Sequence, residues 1–520
     1  MDKLITHSPI LIIAIPLLAA FLTPLISRAN EKARNVLVIT TLAFVEFLVI
    51  VLARDIYANG IHIYTLGASS PTLTIPEQYM VPVRIILEVD AMSIFMCIIW
   101  ATVSLAAAIY SLSFVKEETG QGRFYTLLLL MVGGTFGMML TGDLFNLFVF
   151  LEISSIAGGA LAAFRIRFAD AVEGGFKYII ISSVGALVVL FAIGIFYAQY
   201  NLINIAALAQ VIQYTMLDKV ALALLGIVFA MKLGGVPLHM WVPDTYAAAP
   251  ASITAMLVVS SQACMYALFR VCFTLYGVTL NMVTVGWIII ILGVLSMFVG
   301  VTMAMPQIDI KRLMSYHAIS QSGYMLLGVG VGLAVLGNPE ALATYGRMAM
   351  SGGIFHIINH ALYKGLLFLT AGALFYRTGT RDLNKMGGLG HNMKLTSIFF
   401  IIGALSISGI PPFNGFASKI MIYESVYRLN PILAVIAMLV SIITLASFTK
   451  AFCSAFMGPQ LPQYKDVKEA PKPMLIGMGI LASGIIFFSL FPGLIVDWIV
   501  YPATDALINQ AIYINAVMGG

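Results

Sequence analysis

Ionisable residues lie inside long apolar stretches of this sequence, notably Glu152, Lys232, Lys364 and Lys419. A charge at the centre of a membrane-spanning helix costs about 2.5–3.5 kcal/mol on insertion scales, so such a residue usually has a function. Burial disfavours a charged lysine, whereas a nearby carboxylate favours it. A change in the distance between Lys232 and Glu152 would therefore bind or release a proton. The pattern predicts a proton-transfer group at Lys232 with Glu152 as its partner; the alternative is an ion pair that only joins two helices.

Histidines lie close to these lysines. In FHIINHALYKGLLFL, His356, His360 and Lys364 are spaced i, i+4 and i+8, which places them on one face of a helix. Histidine changes charge near neutral pH, so this spacing suits a proton relay, which His317 would extend. Packing roles for His356 and His317 stay open. A metal site is disfavoured, because no carboxylate or cysteine lies nearby and the lysine would repel a cation.

Prolines interrupt two of the apolar stretches that hold these lysines. Pro237 follows Lys232 in FAMKLGGVPLHMWVPDTYAAAP, and Pro411 and Pro412 precede Lys419 in SGIPPFNGFASKIMIYE. Proline removes a backbone donor and clashes with the preceding turn, so it breaks a helix. A broken helix at membrane depth is tolerated only where it packs in protein or lines a wet cavity. Paired breaks in two halves of a chain point to a transport site.

The composition excludes a soluble globular protein. Hydrophobic residues make up 60% of the chain and charged residues 10%, and the mean hydropathy is +0.98. Apolar runs of about 20 residues predict an all-α, polytopic membrane protein rather than a β-barrel. The net charge of +5 comes from loops and gives no sign of nucleic-acid binding. The four cysteines are scattered without a CxxC motif, so neither a zinc site nor a disulfide framework is expected.

About fourteen spans are predicted from apolar length. Their approximate positions are 8–26, 35–53, 88–114, 124–141, 144–164, 176–199, 219–246 (broken), 251–276, 282–304, 312–336, 346–376, 394–427 (broken), 431–457 and 473–496. Residues 55–86 form one long connection. Asp143, at the mouth of the fifth span, is expected to be a solvated helix-end residue.

Lysine and arginine concentrate in the loops after odd-numbered spans, which predicts that both termini lie outside the cytoplasm. Lys450 is expected to extend to the cytoplasmic surface.

A weak internal repeat relates KYIIISSVGAL, which begins at Lys177, to KGLLFLTAGAL, which begins at Lys364. We therefore count Lys177 as a possible supporting residue.

Five motifs together resemble the antiporter-like subunits of the complex I superfamily, most nearly the Mrp-type cation/proton antiporter D subunit and its relatives in energy-converting membrane hydrogenases. They are GDLFNLFVFLE, MKLGGVPLHMWVPDTYAAAP, DIKRLMSYHAISQSGYML, NHALYKGLLFLTAGAL and SGIPPFNGFASK. The resemblance implies two inverted five-helix repeats with spans seven and twelve broken. It also implies a hydrated axis formed by Glu152, Lys232, Lys364 and Lys419, with His317 and His360 nearby.

The implied organisation has an N-terminal three-helix segment (1–115), two antiporter-like repeats (116–278 and 279–458) and a last span with a tail (459–520).

One position departs from the family pattern. Many relatives carry a lysine in the eighth span, where this chain has Gln262 in SSQACMYALFR. Glutamine holds water but carries no charge, so the implied link between the repeats lacks an ionisable group at this position.

Two functions compete on this sequence. The favoured one is a proton-translocating subunit of an Mrp-type antiporter or a respiratory or hydrogenase complex, in the cell membrane of a prokaryote. Its partners would be other membrane subunits, which supply redox chemistry or sodium exchange, and the chain itself would need no cofactor. The alternative is a stand-alone solute transporter with its site at the broken helices. It is disfavoured because the breaks hold mainly Gly, Pro, Met and aromatic residues.

Overall fold

The computed structural model describes residues 2–66, 85–278 and 282–518. Most of the predicted connection 55–86, with Gly67, Pro71, Pro76 and Pro82, lies outside the described residues. The chain begins with two long helices, α1 (Asp2–Ala29) and α2 (Glu31–Asn59). A two-stranded antiparallel hairpin follows, formed by β1 (His62–Thr65) and β2 (Ile86–Val89), with His62 opposite Val89. No pattern in the sequence predicted this hairpin, because its short strands flank a long connection.

The first half of the helical body contains α3 (Ala91–Phe114), α4 (Gln121–Leu140), α5 (Leu144–Ala162), α6 (Ala169–Tyr200), α7 (Ile205–Val211), α8 (Met216–Lys232), α9 (Trp241–Ala248) and α10 (Ala251–Phe269). A π-helical segment, Arg270–Tyr276, extends α10. Aspartates cap two of these helices. Asp90 accepts the Ser93 amide at the start of α3, and Asp143 accepts the Asn146 amide at the start of α5.

The second half contains α11 (Met282–Ala304), α12 (Ile310–Ala334), α13 (Pro339–Ala341), α14 (Arg347–Thr378), α15 (Lys394–Ser408), α16 (Asn414–Leu429), α17 (Pro431–Phe456) and α18 (Lys472–Leu490). A π-helical segment, Leu342–Gly346, joins α13 to α14. Three short helices complete the described chain: α19 (Pro492–Ile495), α20 (Tyr501–Ile508) and α21 (Gln510–Met518). Val496–Val500, also π-helical, links α19 to α20.

Both proline-containing stretches separate two helices. α8 ends at Lys232 and α9 begins at Trp241, with Gly234 in the left-handed region (φ +80°). α15 ends at Ser408 and α16 begins at Asn414, with Gly409 at φ +72°. Left-handed backbone favours glycine, so each helix ends where the sequence supplies one.

Eleven helices within the described residues are long and apolar enough to cross a membrane. This confirms the prediction of an all-α polytopic membrane protein. The sequence predicts further spans at α12 and at the pairs α8–α9 and α15–α16. Each of these helices is shorter or more polar than the eleven that are long and apolar enough to cross a membrane. The count of fourteen therefore stays a prediction.

α10, α12 and α14 are buried almost along their whole length and pack at the centre of the molecule, so a polar group on them must find its partner inside the protein.

Candidate functional site

Lys232 lies at the end of α8 with only 6% of its surface exposed. Its ammonium group donates a hydrogen bond to the hydroxyl of Ser155 on α5 over 2.7 Å. Beside it is a narrow cavity of about 10 Å³, whose lining includes the hydroxyl groups of Ser154, Ser155, Tyr178, Ser182, Ser260 and Ser261. The first break is therefore more polar than its Gly, Pro and Met content indicated. Hydroxyl-lined space of this kind suits ordered water, which needs two to four polar partners.

Glu152, which the sequence predicts as the charge partner of Lys232, forms no direct ion pair with it in the described part of the chain. Glu152 is half-buried one turn before Ser155 on α5, and its Oε1 atom is buried without a hydrogen-bond partner. The two charges are close enough to attract each other. The hydroxyl of Ser155, rather than the carboxylate, binds the ammonium because Ser155 is the α5 side chain that meets the end of α8.

Gln262 on α10 connects to the middle of α14. Its Nε2 atom donates to the Ile357 carbonyl over 3.1 Å and lies 2.7 Å from His360 Nδ1. Since the amide nitrogen is a donor, His360 Nδ1 is the acceptor and Nε2 carries the proton of the neutral ring. The Oε1 atom of Gln262 and the Nε2 atom of His360 are both buried without a hydrogen-bond partner. Each end of this contact therefore keeps one polar atom free to bind water: the carbonyl oxygen of Gln262 and the N–H group of His360.

His356, His360 and Lys364, in the middle of α14, extend towards three different helices. His360 contacts Gln262 on α10, His356 contacts Ser418 on α16, and Lys364 donates to the Met314 carbonyl on α12. The spacing predicted a single shared face, whereas the three side chains point in different directions around the helix axis. An α-helix turns about 100° per residue, so each step of four residues rotates the side chain by about 40°. Over two steps that rotation separates His356 from Lys364.

His317 and Lys364 meet around Phe448 of α17. The Lys364 ammonium lies 5.6 Å from the Phe448 ring centre and 2.6 Å from the Met314 carbonyl oxygen. The His317 ring packs on the same phenylalanine at 4.8 Å, and its Nε2 is 2.8 Å from the Ser447 hydroxyl. His317 Nδ1 is buried without a hydrogen-bond partner. His317 and Lys364 therefore pack around the same phenylalanine ring.

Lys419 lies at the second break. Its ammonium donates to the Ile407 carbonyl over 2.8 Å and to the Ser441 hydroxyl over 2.9 Å, and it stands 4.8 Å from the Tyr324 ring centre. The preceding residue, Ser418, lies 2.9 Å from His356 Nδ1. Histidine and lysine are thus linked through neighbouring residues of α16.

His356 has further partners beyond Ser418. Its Nε2 atom is 3.2 Å from Gln321 Oε1 and 3.1 Å from the Tyr363 hydroxyl. A histidine with polar partners at both ring nitrogens belongs to a hydrogen-bonded network rather than to apolar packing alone.

Lys177 lies away from this line of groups. It is 41% exposed and pairs with Glu173 at 2.6 Å and Asp244 at 2.7 Å, and Asp244 also pairs with Arg312 at 2.9 Å. These partners place Lys177 in a surface network that joins α6, α9 and α12.

Asp143 is buried, not solvated as was predicted from the sequence. Only 5% of it is exposed, and its Oδ1 atom accepts the Asn146 amide over 2.9 Å. It lies between α4 and α5, where burial raises the pKa of its carboxyl to about 6 in spite of that hydrogen bond. The prediction failed because a helix cap is usually exposed, whereas here β2 pairs with the chain just before the cap, at Thr141.

Sequence reasoning missed the neutral partners of the buried charges. These are Ser155, Gln321, Ser418, Ser441 and Ser447. A weak signal existed for some of them. Ser155 is one helical turn after Glu152, Gln321 one turn after His317, and Ser418 precedes Lys419. Small polar residues next to buried charges are thus worth including in such a search.

The fold and these contacts define a polytopic helical membrane protein with ionisable side chains buried through its interior. The family model described as "NADH:quinone oxidoreductase/Mrp antiporter, TM" matches residues 141–444, and the model "NADH-Ubiquinone oxidoreductase (complex I), chain 5 N-terminus" matches residues 79–125. The chain belongs to the NADH:quinone oxidoreductase/Mrp antiporter family, which confirms the resemblance drawn from the motifs.

Individual relatives agree with this assignment. The chain is 32% identical to the D component of the Na(+)/H(+) antiporter of Alkalihalophilus pseudofirmus, over 98% of this chain and 99% of that protein. It is also 32% identical to the N component of the NADH-quinone oxidoreductase of Desulforudis audaxviator, over 93% and 96% of the two chains. A chain of the Mrp complex from Dietzia sp. has the same fold, with a TM-score of 0.86 at 23% identity, over 99% of this chain and all of that one.

Proposed function

We propose that this chain is the proton-translocating membrane subunit of a multisubunit complex, and that protons move along its line of buried Glu, Lys and His side chains. Partner subunits would supply the driving reaction, either redox chemistry or sodium exchange. Relatives in both kinds of protein support this proposal, since their names include an Na(+)/H(+) antiporter and an NADH-quinone oxidoreductase.

One observation carries the proposal. Among the described residues, Lys232, Lys364 and Lys419 are buried and none of them forms an ion pair with a carboxylate; hydroxyl and carbonyl oxygens bind their ammonium groups instead. A structural salt bridge would supply a fixed counter-charge. Without one, the charged and neutral forms of a buried lysine are closer in free energy, which suits a group that repeatedly binds and releases a proton.

The neutral contacts between the charges support a route through the chain. It begins at Lys232 and the serine-lined cavity, passes Gln262 and His360 to Lys364 and His317, and reaches Lys419 by way of His356 and Ser418. In this proposal residues 116–278 and 279–458 are the two antiporter-like units. The chain lies in the cell membrane of a prokaryote with both termini outside the cytoplasm, as its distribution of basic residues favours.

Replacing Lys232 with alanine in the intact complex tests this function. The complex is reconstituted in vesicles, driven by its own reaction, and proton movement is followed with an internal pH-sensitive dye. Loss of a positioned proton-transfer group typically costs about 10²–10⁴-fold in rate, and we expect a loss in this range. Lys219→Ala is the matched control, since Lys219 lies exposed on the same helix. Transport at the parent rate by an intact Lys232→Ala complex would exclude the proposed route.

A further inference from the structure

A second group of buried charges lies beside the β-hairpin, away from the lysines. Asp90, at the start of α3, is 1% exposed and pairs directly with Arg270, which is 2% exposed and lies just beyond α10. Arg270 also donates to the Ser93 hydroxyl over 3.0 Å and to the Tyr266 hydroxyl over 2.9 Å. Its guanidinium also packs on the ring of Tyr513 of α21, with 4.9 Å from the guanidinium carbon to the ring centre. Asp90 and Arg270 thus neutralise each other.

Glu88 of β2 lies in the same group without a charge to balance it. It is 1% exposed, and neither carboxyl oxygen has a hydrogen-bond partner of normal geometry. The Tyr513 hydroxyl lies beside it, and a Cβ atom at Gly142 would come within 2.8 Å of Oε2. The group therefore contains two carboxyl groups and one guanidinium, and the guanidinium is already paired with Asp90.

An uncompensated carboxyl in this position must hold a proton or gain one readily. Other titratable or charged groups around it are Asp90, Arg270, Tyr513 and, beyond Asp90, Tyr57 of α2. Burial raises the pKa of Glu88 well above its usual range, and Asp90 adds to that effect, whereas Tyr513 and Arg270 oppose it. Glu88 is on the short hairpin and so lies outside the membrane-spanning helices.

Tyr266 joins this group to the line of buried lysines and histidines. Its hydroxyl lies 2.9 Å from the Ser93 hydroxyl and 3.0 Å from the Met139 carbonyl oxygen. On α10, Tyr266 is one turn from Gln262, which contacts His360, and one turn from Arg270. A single helix therefore carries polar side chains from the centre of the protein to the hairpin.

We propose that Glu88 is the proton-exchange site through which the first unit communicates with the hairpin side of the membrane. A proton from water on that side binds one carboxyl oxygen of Glu88, and the same oxygen later releases it, while the Asp90–Arg270 pair stays intact. In the orientation that the basic residues favour, this is the extracytoplasmic side. The inference rests on the proposed function, since it supplies one end of the route whose centre is Lys232.

Glu88→Gln tests the inference, because glutamine keeps the shape of the side chain and cannot exchange a proton by ionisation. In the reconstituted complex we expect transport to fall by about tenfold or more. Glu46→Gln is the matched control. Glu46 is a half-buried carboxyl on α2 that accepts a hydrogen bond from Thr102 and lies outside the proposed route, so transport should stay within about twofold of the parent rate.

The outcomes separate this inference from the proposed function. If Lys232→Ala stops transport and Glu88→Gln leaves it at the parent rate, Glu88 is not the exchange site and the proposed function stands. If neither change affects transport, the proposed function fails as well.

A second variant decides the matter if the Glu88→Gln complex does not assemble. Tyr513→Phe keeps the ring against Arg270 and removes the hydroxyl beside Glu88. Since that hydroxyl favours the ionised carboxyl, its removal should shift the dependence of transport on hairpin-side pH towards higher pH. An unchanged pH profile in Tyr513→Phe would overturn the inference.

Discussion

The Gln262 amide donates to His360 Nδ1 over 2.7 Å and thereby selects one tautomer of the imidazole. A proton added to that ring at Nδ1 would turn the acceptor into a donor, so the contact would have to break or the amide would have to rotate and present Oε1. Rotation would also give up the bond to the Ile357 carbonyl. Gln262 carries no charge itself, yet its orientation depends on the protonation state of His360. An uncharged side chain at position 262 can therefore still change its contacts when His360 binds a proton.

Gln262→Ala should slow transport without preventing assembly. Leaving a buried hydrogen-bonding group unpaired costs about 1–3 kcal/mol, which corresponds to about 5- to 150-fold in a rate that depends on it. Proton movement in vesicles measures the effect. Gln307→Ala serves as the control, since the side chain of Gln307 contacts only the Met303 carbonyl at an exposed site. Equal rates in the two variants would show that the Gln262–His360 contact has no part in transport.

Lys419 and Lys450 should differ in their importance for transport. Lys419 is buried at the second break, whereas the ammonium of Lys450 is partly exposed and binds the carbonyls of Met305 and Gln307. Lys419→Ala should lower the proton transport rate by about 10²-fold or more, because a group on the route is lost. Lys450→Ala should leave it nearly unchanged. The same vesicle assay compares them, and a similar loss in both variants would argue for a general effect of lysine removal instead.

Asp143 should make the complex less stable as pH rises. The pKa of its carboxyl is about 6 in the folded chain, above the ordinary value of 3.8, because burial favours the protonated form. Between these two values the folded chain holds a proton that the unfolded chain has released, so stability falls as pH rises from about 4 to about 6, at up to about 1.4 kcal/mol per pH unit, and levels off above that.

Melting curves of the complex in detergent between about pH 3.5 and about pH 7 measure this contribution, because these limits bracket both the ordinary pKa of 3.8 and the folded-state pKa of about 6, between which the stability changes. Asp143→Asn keeps an oxygen to cap the Asn146 amide and cannot ionise. The variant should therefore lose part of the pH dependence and melt at a higher temperature than the parent at the upper pH. A melting temperature that depends on pH equally in both proteins would contradict the assignment.

Two glycine substitutions should have opposite effects on stability. A Cβ atom at Gly415, at the start of α16, would come within 1.9 Å of the Ser406 carbonyl oxygen, so alanine there must displace the backbone at the second break. Gly194, on α6, has no heavy atom within 4 Å of such a Cβ atom. Alanine at Gly194 should stabilise the helix by up to about 1 kcal/mol. Melting temperatures of the two variants in detergent test this, and a tolerated Gly415→Ala would mean that the backbone at the break can move aside at little cost.

Local signals in the sequence were sufficient for much of the fold. Apolar length, together with the prolines at Pro237 and Pro411, predicted a helical membrane protein interrupted beside Lys232 and Lys419. These signals work because the cost of burying an unpaired backbone or a charge arises within a few residues of chain. The hairpin at β1 and β2 had no such signal, since its strands pair across a long connection.

The partners of the buried charges depended on tertiary packing and could not be predicted. Ser155 binds Lys232 because α5 meets the end of α8, and the sequence does not say which α5 side chain lies at that contact. Similarly, the spacing of His356, His360 and Lys364 indicated a common face but not the three helices around it. Such contacts are between residues far apart in the chain, so no local pattern encodes them.

The central claim is that Lys232 and Lys419 act in series on one proton route, and a double-mutant cycle of transport rates tests it most directly. The four complexes needed are the parent, Lys232→Ala, Lys419→Ala and the variant with both changes, each reconstituted at equal amount. Groups in series give a double variant no slower than the slower single variant, because removal of either group already interrupts the route. Losses that multiply in the double variant would show two independent routes and contradict the account.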